Sequence, residues 1–292
     1  MTEQALAGCL VGMAVGDAYG LPYEGLSPRR GLRLYPNLER FHLLFGRGMF
    51  SDDTEHACLT AQSLLVAGGD VAKFSHSLAW RLRWWFLGFP VGIGKATFKA
   101  CLKLWFGWSP KESGVCSTGN GPCMRAPILG LVLGAEPTKL RDFVRLSTRV
   151  THTDPKAEHG ALLIAWATWL SATGEFSPQE ITARLAQELP ATATDYLQLL
   201  PRIAASVLAN QPTEAFAAEL NLSHGVSGYV LHTVPIVLQA WLRFPNDYLS
   251  AVRSLIRCGG DADTTAALVG ALIGAKVGVA GIPENWRSKL AE

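Results

Sequence analysis

An all-α fold, built as a single domain over residues 1–292, is what three features of this sequence predict. Apolar residues recur at helical spacing in segment after segment. No run of alternating strands between turn signals is visible. Glycine and proline punctuate the chain evenly, and no long polar linker separates two halves. The elements follow in order. Gly8, Gly12, Gly16 and Gly20 recur every four residues in an apolar opening segment. Such spacing strips one helix face of side chains, so that another backbone can approach closely. Thr54 to Val66 reads as a helix closed by Gly68-Gly69. Ala157 to Leu170, Tyr229 to Leu242 and Asp247 to Arg257 read as three more. Thr264 to Val279 carries a second glycine series at Gly270, Gly274 and Gly278. Glycine costs about 1 kcal/mol at each helix-interior position, so close packing must offset it.

Composition narrows the function. Apolar residues make up 49% and charged residues 17%, so much of the chain is expected to be buried. The net charge of +2, from 26 basic and 24 acidic residues, makes no electrostatic case for nucleic acid or a membrane surface as an obligatory partner. The stretch Thr264 to Ile282 has the length of a membrane span, but it carries Lys276 and follows two aspartates, so a buried helix is expected. The start, Met1-Thr2-Glu3-Gln4, has an acid where a signal peptide carries positive charge. Six cysteines are scattered with no C-x-x-C pair, which argues against zinc and against a disulfide framework. A cytoplasmic monomer with reduced thiols is the expectation. Five of the nine tryptophans fall between Trp80 and Trp108, and most of these are expected in the core.

Two acidic clusters carry the chemistry. Ser51-Asp52-Asp53-Thr54-Glu55 opens one predicted helix. Asp52 followed by Glu55 three residues later also has the form of a capping box, and acids favour a helix start. Gly259-Gly260-Asp261-Ala262-Asp263-Thr264-Thr265 repeats the pattern near the other end. A cap uses one acid, whereas each cluster holds two beside a hydroxyl. Magnesium takes octahedral oxygen ligands at about 2.0–2.1 Å, and short Asp, Ser and Thr side chains supply them without long stems. Facing each other, the clusters would offer four aspartates and at least two hydroxyls, sufficient for two ions about 3.5–4 Å apart. Four carboxylates also demand a counter-charge.

Taken in order, these motifs resemble the ADP-ribosylglycohydrolases, which include the dinitrogenase reductase-activating glycohydrolases. The paired signature is Ser51 to Thr54 with Gly259 to Ala267. The opening helix Gly8 to Ala18 with Glu24 beyond it, the loop Ser117-Thr118-Gly119-Asn120-Gly121 before Met124-Arg125, and Thr151-His152-Thr153-Asp154 match as well. So do Ser227-Gly228-Tyr229-Val230 and Ile282-Pro283 with Trp286. The resemblance implies an orthogonal multi-helix bundle and a dinuclear magnesium or manganese centre. Ser51, Asp52, Asp53 and Asp263 would hold one ion, and Asp261, Asp263 and Thr264 the other. Ser51 stands where relatives often carry threonine; the hydroxyl is kept, but the orienting β-methyl is lost.

The same resemblance implies a substrate of ADP-ribose joined through its anomeric carbon to an acceptor, most simply a protein side chain such as arginine, with ADP-ribose as the product. Glu24, Asp53 and Asp263 are the catalytic candidates, and Glu24 would manage the water or the leaving group. Asp17 reads as a structural acid. Gly94, Ser117, Thr118, Gly119, Asn120, Gly121, His152 and Tyr229 are the substrate-binding candidates. Successive backbone N–H groups of the 117–121 loop would form an anion nest for the diphosphate, with Gly92 and Gly94 adding a second close approach. His152 would bond near the distal ribose or the phosphates, and Tyr229 either stacks on adenine or simply packs. A non-catalytic ADP-ribose binder and a hydrolase of another ribosylated or nucleotide substrate are the alternatives.

Overall fold

The computed structural model describes residues 2–291; Met1 and Glu292 lie outside it. Among the described residues there are fifteen α-helices: α1 Glu3–Gly20, α2 Pro28–Leu34, α3 Asp52–Ala67, α4 Val71–Phe86 and α5 Lys95–Trp105 form the first third. They are followed by α6 Ala126–Leu133, α7 Pro137–Arg149, α8 Pro155–Thr173, α9 Pro178–Gln187 and α10 Thr194–Leu208. The chain closes with α11 Thr213–Glu219, α12 Val230–Arg243, α13 Tyr248–Cys258, α14 Ala262–Val277 and α15 Glu284–Arg287. Among the described residues, β structure is limited to isolated bridges. The predicted helices are all there, each shifted by one to three residues at its ends.

The pair α1 and α14 organises the rest. A Cβ on Gly8 would lie 2.1 Å from the Gly274 carbonyl, one on Gly12 2.3 Å from that of Gly270, and one on Gly16 2.2 Å from that of Ala266. As the number rises on one helix it falls on the other, so the two run antiparallel with backbones in contact. The glycine stripes predicted separately are therefore the two halves of one interface. Gly278 takes part as well, its Cα 2.7 Å from where a Cβ on Gly8 would lie, but it sits just beyond α14 with φ +66, which glycine adopts without strain, and it ends the helix. Around this pair, α8 packs on α6, α12 and α14, and buried side chains from Cys9 to Trp286 form one continuous cluster.

The membrane question resolves onto another segment. Among the described residues, the one helix long and apolar enough to span a bilayer is the first, Glu3–Tyr23, not Thr264 to Ile282, and 78% of its apolar window is buried inside the protein against α14 and its neighbours. All six cysteines are free thiols, four of them buried.

The tryptophans correct an expectation. Trp80, Trp84, Trp105 and Trp108 are exposed and Trp85 is only partly buried, whereas the core tryptophans are Trp166, Trp241 and Trp286. Helical spacing places Trp80 and Trp84 one turn apart on a face of α4 that α5 covers only in part, through Trp105.

Candidate functional site

Antiparallel pairing of α1 with α14 brings the C-terminal end of one to the N-terminal end of the other, and both acidic ends meet there. The backbone at Gly259-Gly260 makes the junction, with φ of +64 and +83 that side chains rarely adopt. Gly25 N–H donates to the Gly260 carbonyl at 2.7 Å, and Gly260 N–H donates to the Leu26 carbonyl at 2.8 Å. Asp261 N–H donates to the Val226 carbonyl at 2.6 Å on the other side. This strap sets Glu24 on the lip above Asp261.

The start of α3 explains why its aspartates are free. Capping there is done by Ser51, whose hydroxyl accepts from Asp53 N–H at 3.4 Å, and by Asp17 from α1. The Asp17 carboxylate accepts from Ser51 N–H at 3.0 Å, from Thr54 N–H at 3.1 Å and from the Thr54 hydroxyl at 2.6 Å. Glu55 is not half of a capping box; it accepts from Trp85 Nε1–H at 2.6 Å. The capping-box reading of Asp52 and Glu55 therefore fails, because other groups do the capping. At α14 the Asp261 side chain makes no cap bond either.

Thr264 ties the clusters together by donating its hydroxyl to Asp53 Oδ2 at 3.1 Å, across 211 residues of sequence. Ser51 donates to the same oxygen at 3.2 Å. Three buried carboxylate oxygens, Asp52 Oδ2, Asp53 Oδ1 and Asp263 Oδ1, have no hydrogen-bond partner. Burial raises the carboxyls of this group, and mutual repulsion raises them further. Asp52 is pushed up to about 8, with Asp17 the main charged neighbour. Asp53 and Asp263 are raised well above the carboxylate range. Glu24 rises through partial burial and the charge of Asp261. Orphaned oxygens and acids that resist ionising are what a site for cations presents when its charge is uncompensated. Among the described residues no group of three or more His, Cys, Asp or Glu side chains forms a ready cation cage. The donor set here mixes carboxylates with the hydroxyls of Ser51 and Thr264, and its chemistry suits hard cations.

Above the acids lies a cleft of about 490 Å³. Glu24, Asp52, Asp261, Asp263 and Thr264 line it, opposite Gly94, Ser117, Gly119, Asn120, Gly121 and His152. Ser51 and Asp53 sit buried behind this surface. Thr118 and Tyr229 are at the rim, where the Thr118 carbonyl accepts from Val230 N–H at 2.9 Å and Tyr229 pairs with Gly119 in a bridge. Tyr229 is half-buried against His232, so its ring is tied up at least in part by packing.

The 117–121 loop differs from expectation. Gly119 N–H donates to Ser117 Oγ at 3.2 Å and Asn120 N–H to the Gly228 carbonyl at 3.0 Å, so the loop does not present a row of free donors. Instead it is a wall. The Asn120 amide donates to Asp261 Oδ2 and, at 2.9 Å, to Thr233 Oγ1, and so holds a metal-candidate carboxylate in place. Gly119 and Gly121 lie flat on the His152 imidazole, where a Cβ on either would come within 3.1 Å of the ring. Neither needs a left-handed backbone.

Free donors come from α5. Its cap residue Gly94 makes no side-chain cap bond, and Gly94, Lys95, Ala96 and Thr97 line the cleft, so the first turn of α5 brings its unpaired N–H groups to the cleft wall. Lys95 was not singled out by sequence reasoning, although its place after Gly92-Ile93-Gly94 was the available signal.

Behind His152, Arg125 is fully buried. It donates through Nε to Ser147 Oγ at 3.0 Å and through Nη2 to Thr151 Oγ1 at 2.8 Å. The Thr151 hydroxyl also donates to the Thr148 carbonyl at 3.4 Å and meets His152 Nδ1 at 2.9 Å, so Arg125 and Thr151 together fix the orientation of the imidazole. This turns His152 Nε2 towards Gly119 and the cleft. Burial and the Arg125 charge hold this histidine neutral, down to about 3. Arg125 also meets His56 Nδ1 at 3.1 Å, leaving His56 Nε2 buried without a partner.

An all-helical scaffold with a cleft over an acidic floor sets the class, and comparison with known proteins defines the family. The ADP-ribosylglycohydrolase profile matches residues 2–292. An uncharacterised protein of Archaeoglobus fulgidus is 32% identical over 99% of this chain and 92% of its own length. Human ADP-ribosylhydrolase ARH3 is 27% identical, covering 96% of this chain and 87% of that protein. The ADP-ribosyl-[dinitrogen reductase] glycohydrolase of Rhodospirillum rubrum is 27% identical, over 97% and 89%. A solved ADP-ribosylglycohydrolase-related protein complex superimposes with a TM-score of 0.71 at 26% identity, over 99% and 92% of the two chains. The chain belongs to the ADP-ribosylglycohydrolase family. It is an ADP-ribosyl hydrolase, a glycosidase.

Proposed function

We propose that this enzyme releases ADP-ribose from a protein side chain such as arginine, and that it does so with two magnesium or manganese ions held in the acidic floor. The observation that carries the metal reading is the set of partnerless oxygens on Asp52, Asp53 and Asp263. Ser51, Asp52, Asp53 and Asp263 would hold one ion, and Asp261, Asp263 and Thr264 the other. When bound, such ions grip ribose hydroxyls and bring the pKa of a nearby water towards neutrality.

The protein's own groups divide the remaining work. Lys95 and the free N–H groups of Ala96 and Thr97 bind the diphosphate, which faces the positive end of α5. His152 bonds through Nε2 to a ribose hydroxyl or a phosphate oxygen. Asn120 orients Asp261. Cleavage develops positive charge at the anomeric carbon, and the aspartates around it stabilise that charge. Glu24, on the lip with a raised carboxyl, transfers a proton at the leaving group or the attacking water. A polar acceptor such as arginine is favoured because the lip above the anomeric position is acidic, with Glu24 and Asp261 adjoining. The ADP-ribosylated dinitrogen reductase in the name of the Rhodospirillum rubrum relative points to a protein acceptor too.

The test is a panel of ADP-ribosylated acceptors, incubated with magnesium or with a chelator and scored for released ADP-ribose. Release from an arginine-linked acceptor that stops with chelator and returns with magnesium is expected. Full turnover by metal-stripped protein would remove the metals from the reading. Tight ADP-ribose binding without release from any acceptor would instead identify a binder.

A further inference from the structure

Between residues 71 and 111 the chain has seven Lys and Arg residues and no Asp or Glu. These residues form α4, α5 and their connections. Each of the nine ion pairs among the described residues lies elsewhere in the molecule, so these seven cations have no acidic partner there. Arg83 Nε has no hydrogen-bond partner of any kind.

The same face carries the exposed tryptophans. Trp80 is 56% exposed, Trp84 51% and Trp108 50%. Trp84 meets Trp80 and Trp105 edge to face at 5.5 and 5.4 Å, which leaves ring faces open to solvent. Arg83 lies 5.7 Å over the Trp80 ring and Lys103 4.8 Å over that of Trp108. A groove of about 640 Å³ runs here, lined by Lys73, His76, Trp80, Arg83 and Leu104. It is larger than the acidic cleft and separate from it in its lining.

We propose that the α4–α5 face binds single-stranded nucleic acid, with phosphates on Lys73, Arg81 and Arg83 and bases on Trp80 and Trp84. Unpaired cations interleaved with open aromatic faces are what a strand requires, since its backbone is anionic and every base has a π-face. An acidic peptide would use the cations and leave the rings exposed. A bilayer surface would engage protruding apolar side chains such as Phe89 and Phe106, whereas Trp80 borders a groove that Lys73, His76, Arg81 and Arg83 also line. The start of α5 lines the hydrolase cleft, so a bound strand would run beside the active site.

The experiment uses the full chain with fluorescein-labelled oligo-dT and oligo-U of about 12 nucleotides, within the usual site size, read by anisotropy. Binding is expected with a log K that falls by about 2 per tenfold rise in salt, for three phosphates neutralised. Trp80→Ala should weaken it about tenfold by removing one stacking surface. Arg81→Ser with Arg83→Ser should flatten the salt slope by about 1.4. Trp80, Arg81 and Arg83 are surface residues outside the cleft, so ADP-ribose affinity should match wild type in each variant, and saturating ADP-ribose should not displace the strand. Three results overturn the proposal: no binding at about 100 μM protein in low salt, where even non-specific affinities register; displacement by ADP-ribose; or equal binding of polyglutamate or anionic vesicles with the same loss in the variants.

Discussion

Replacing Gly16 by alanine tests whether contact between α1 and α14 both holds the fold and builds the site. The added Cβ would lie 2.2 Å from the Ala266 carbonyl oxygen and 2.7 Å from its carbon. Ordinary contact begins near 3.4 Å, so the helices must part by about 1 Å, and the obstacle is backbone that no rotamer change can move aside. Overpacking of this kind costs about 3 kcal/mol, the upper part of its usual range. Alanine returns about 1 kcal/mol of helix propensity over glycine. The net expectation is a loss of about 2 kcal/mol, or roughly 4–8 °C in Tm for a chain of this size. Scanning calorimetry reads the shift. Gly94→Ala is the control, because nothing lies within 4 Å of a Cβ there. Gly16 precedes Asp17, and Asp17 caps α3, so the variant should also bind magnesium more weakly by titration. A Tm at or above wild type, with unchanged magnesium binding, would refute the packing argument.

Further predictions concern the site itself. Asp263→Asn should abolish release of ADP-ribose and lower bound metal, yet raise the Tm of chelated protein by relieving repulsion with Asp261; unchanged metal content by elemental analysis would count against the assignment. Burial and Asp17 raise the Asp52 carboxyl to about 8, so the folded state keeps a proton that the unfolded chain has lost, and metal-free stability should fall between pH 6.5 and 8 by up to about 1.4 kcal/mol per pH unit. Histidines with lowered pKa oppose this near pH 6.5, where the unfolded chain still binds their protons, so the Asp52 contribution is read in denaturant titrations as the difference between wild type and Asp52→Asn, and magnesium should remove it as well. Thr151→Val should lower kcat/KM about tenfold by removing the hydroxyl that holds His152 Nδ1 while Thr151→Ser keeps it, and ¹⁵N NMR of the imidazole should register the change; a rate equal to wild type in the valine variant would end this positioning role. Gly119→Val should weaken ADP-ribose binding in calorimetry through bulk against His152, leaving metal content intact; unchanged affinity would take the loop out of the site.

Much of this protein is legible in local pattern because its causes are local. Four-residue glycine spacing, apolar periodicity and acids beside hydroxyls at two helix starts depend on neighbours within a turn or two, and they gave the helices, the stripes and the candidate donors. Other features rest on partners far away in sequence. Whether Asp52 and Asp53 cap α3 or stay free was decided by Asp17, 37 residues before Thr54. Whether Ser117 to Gly121 offers free donors was decided by Gly228. Net charge hid the α4–α5 face, because a sum over the chain averages away an unpaired basic stretch. Tryptophans read as core turned out exposed for a related reason: hydrophobicity marks what can be buried, and only packing decides which face another element covers. The sequence by itself determined an all-helical chain with two glycine-lined helices and two acidic helix starts. Only the tertiary structure decided that the stripes pair antiparallel, because backbone contact is a property of two surfaces, and that pairing is what brings the acids to one end.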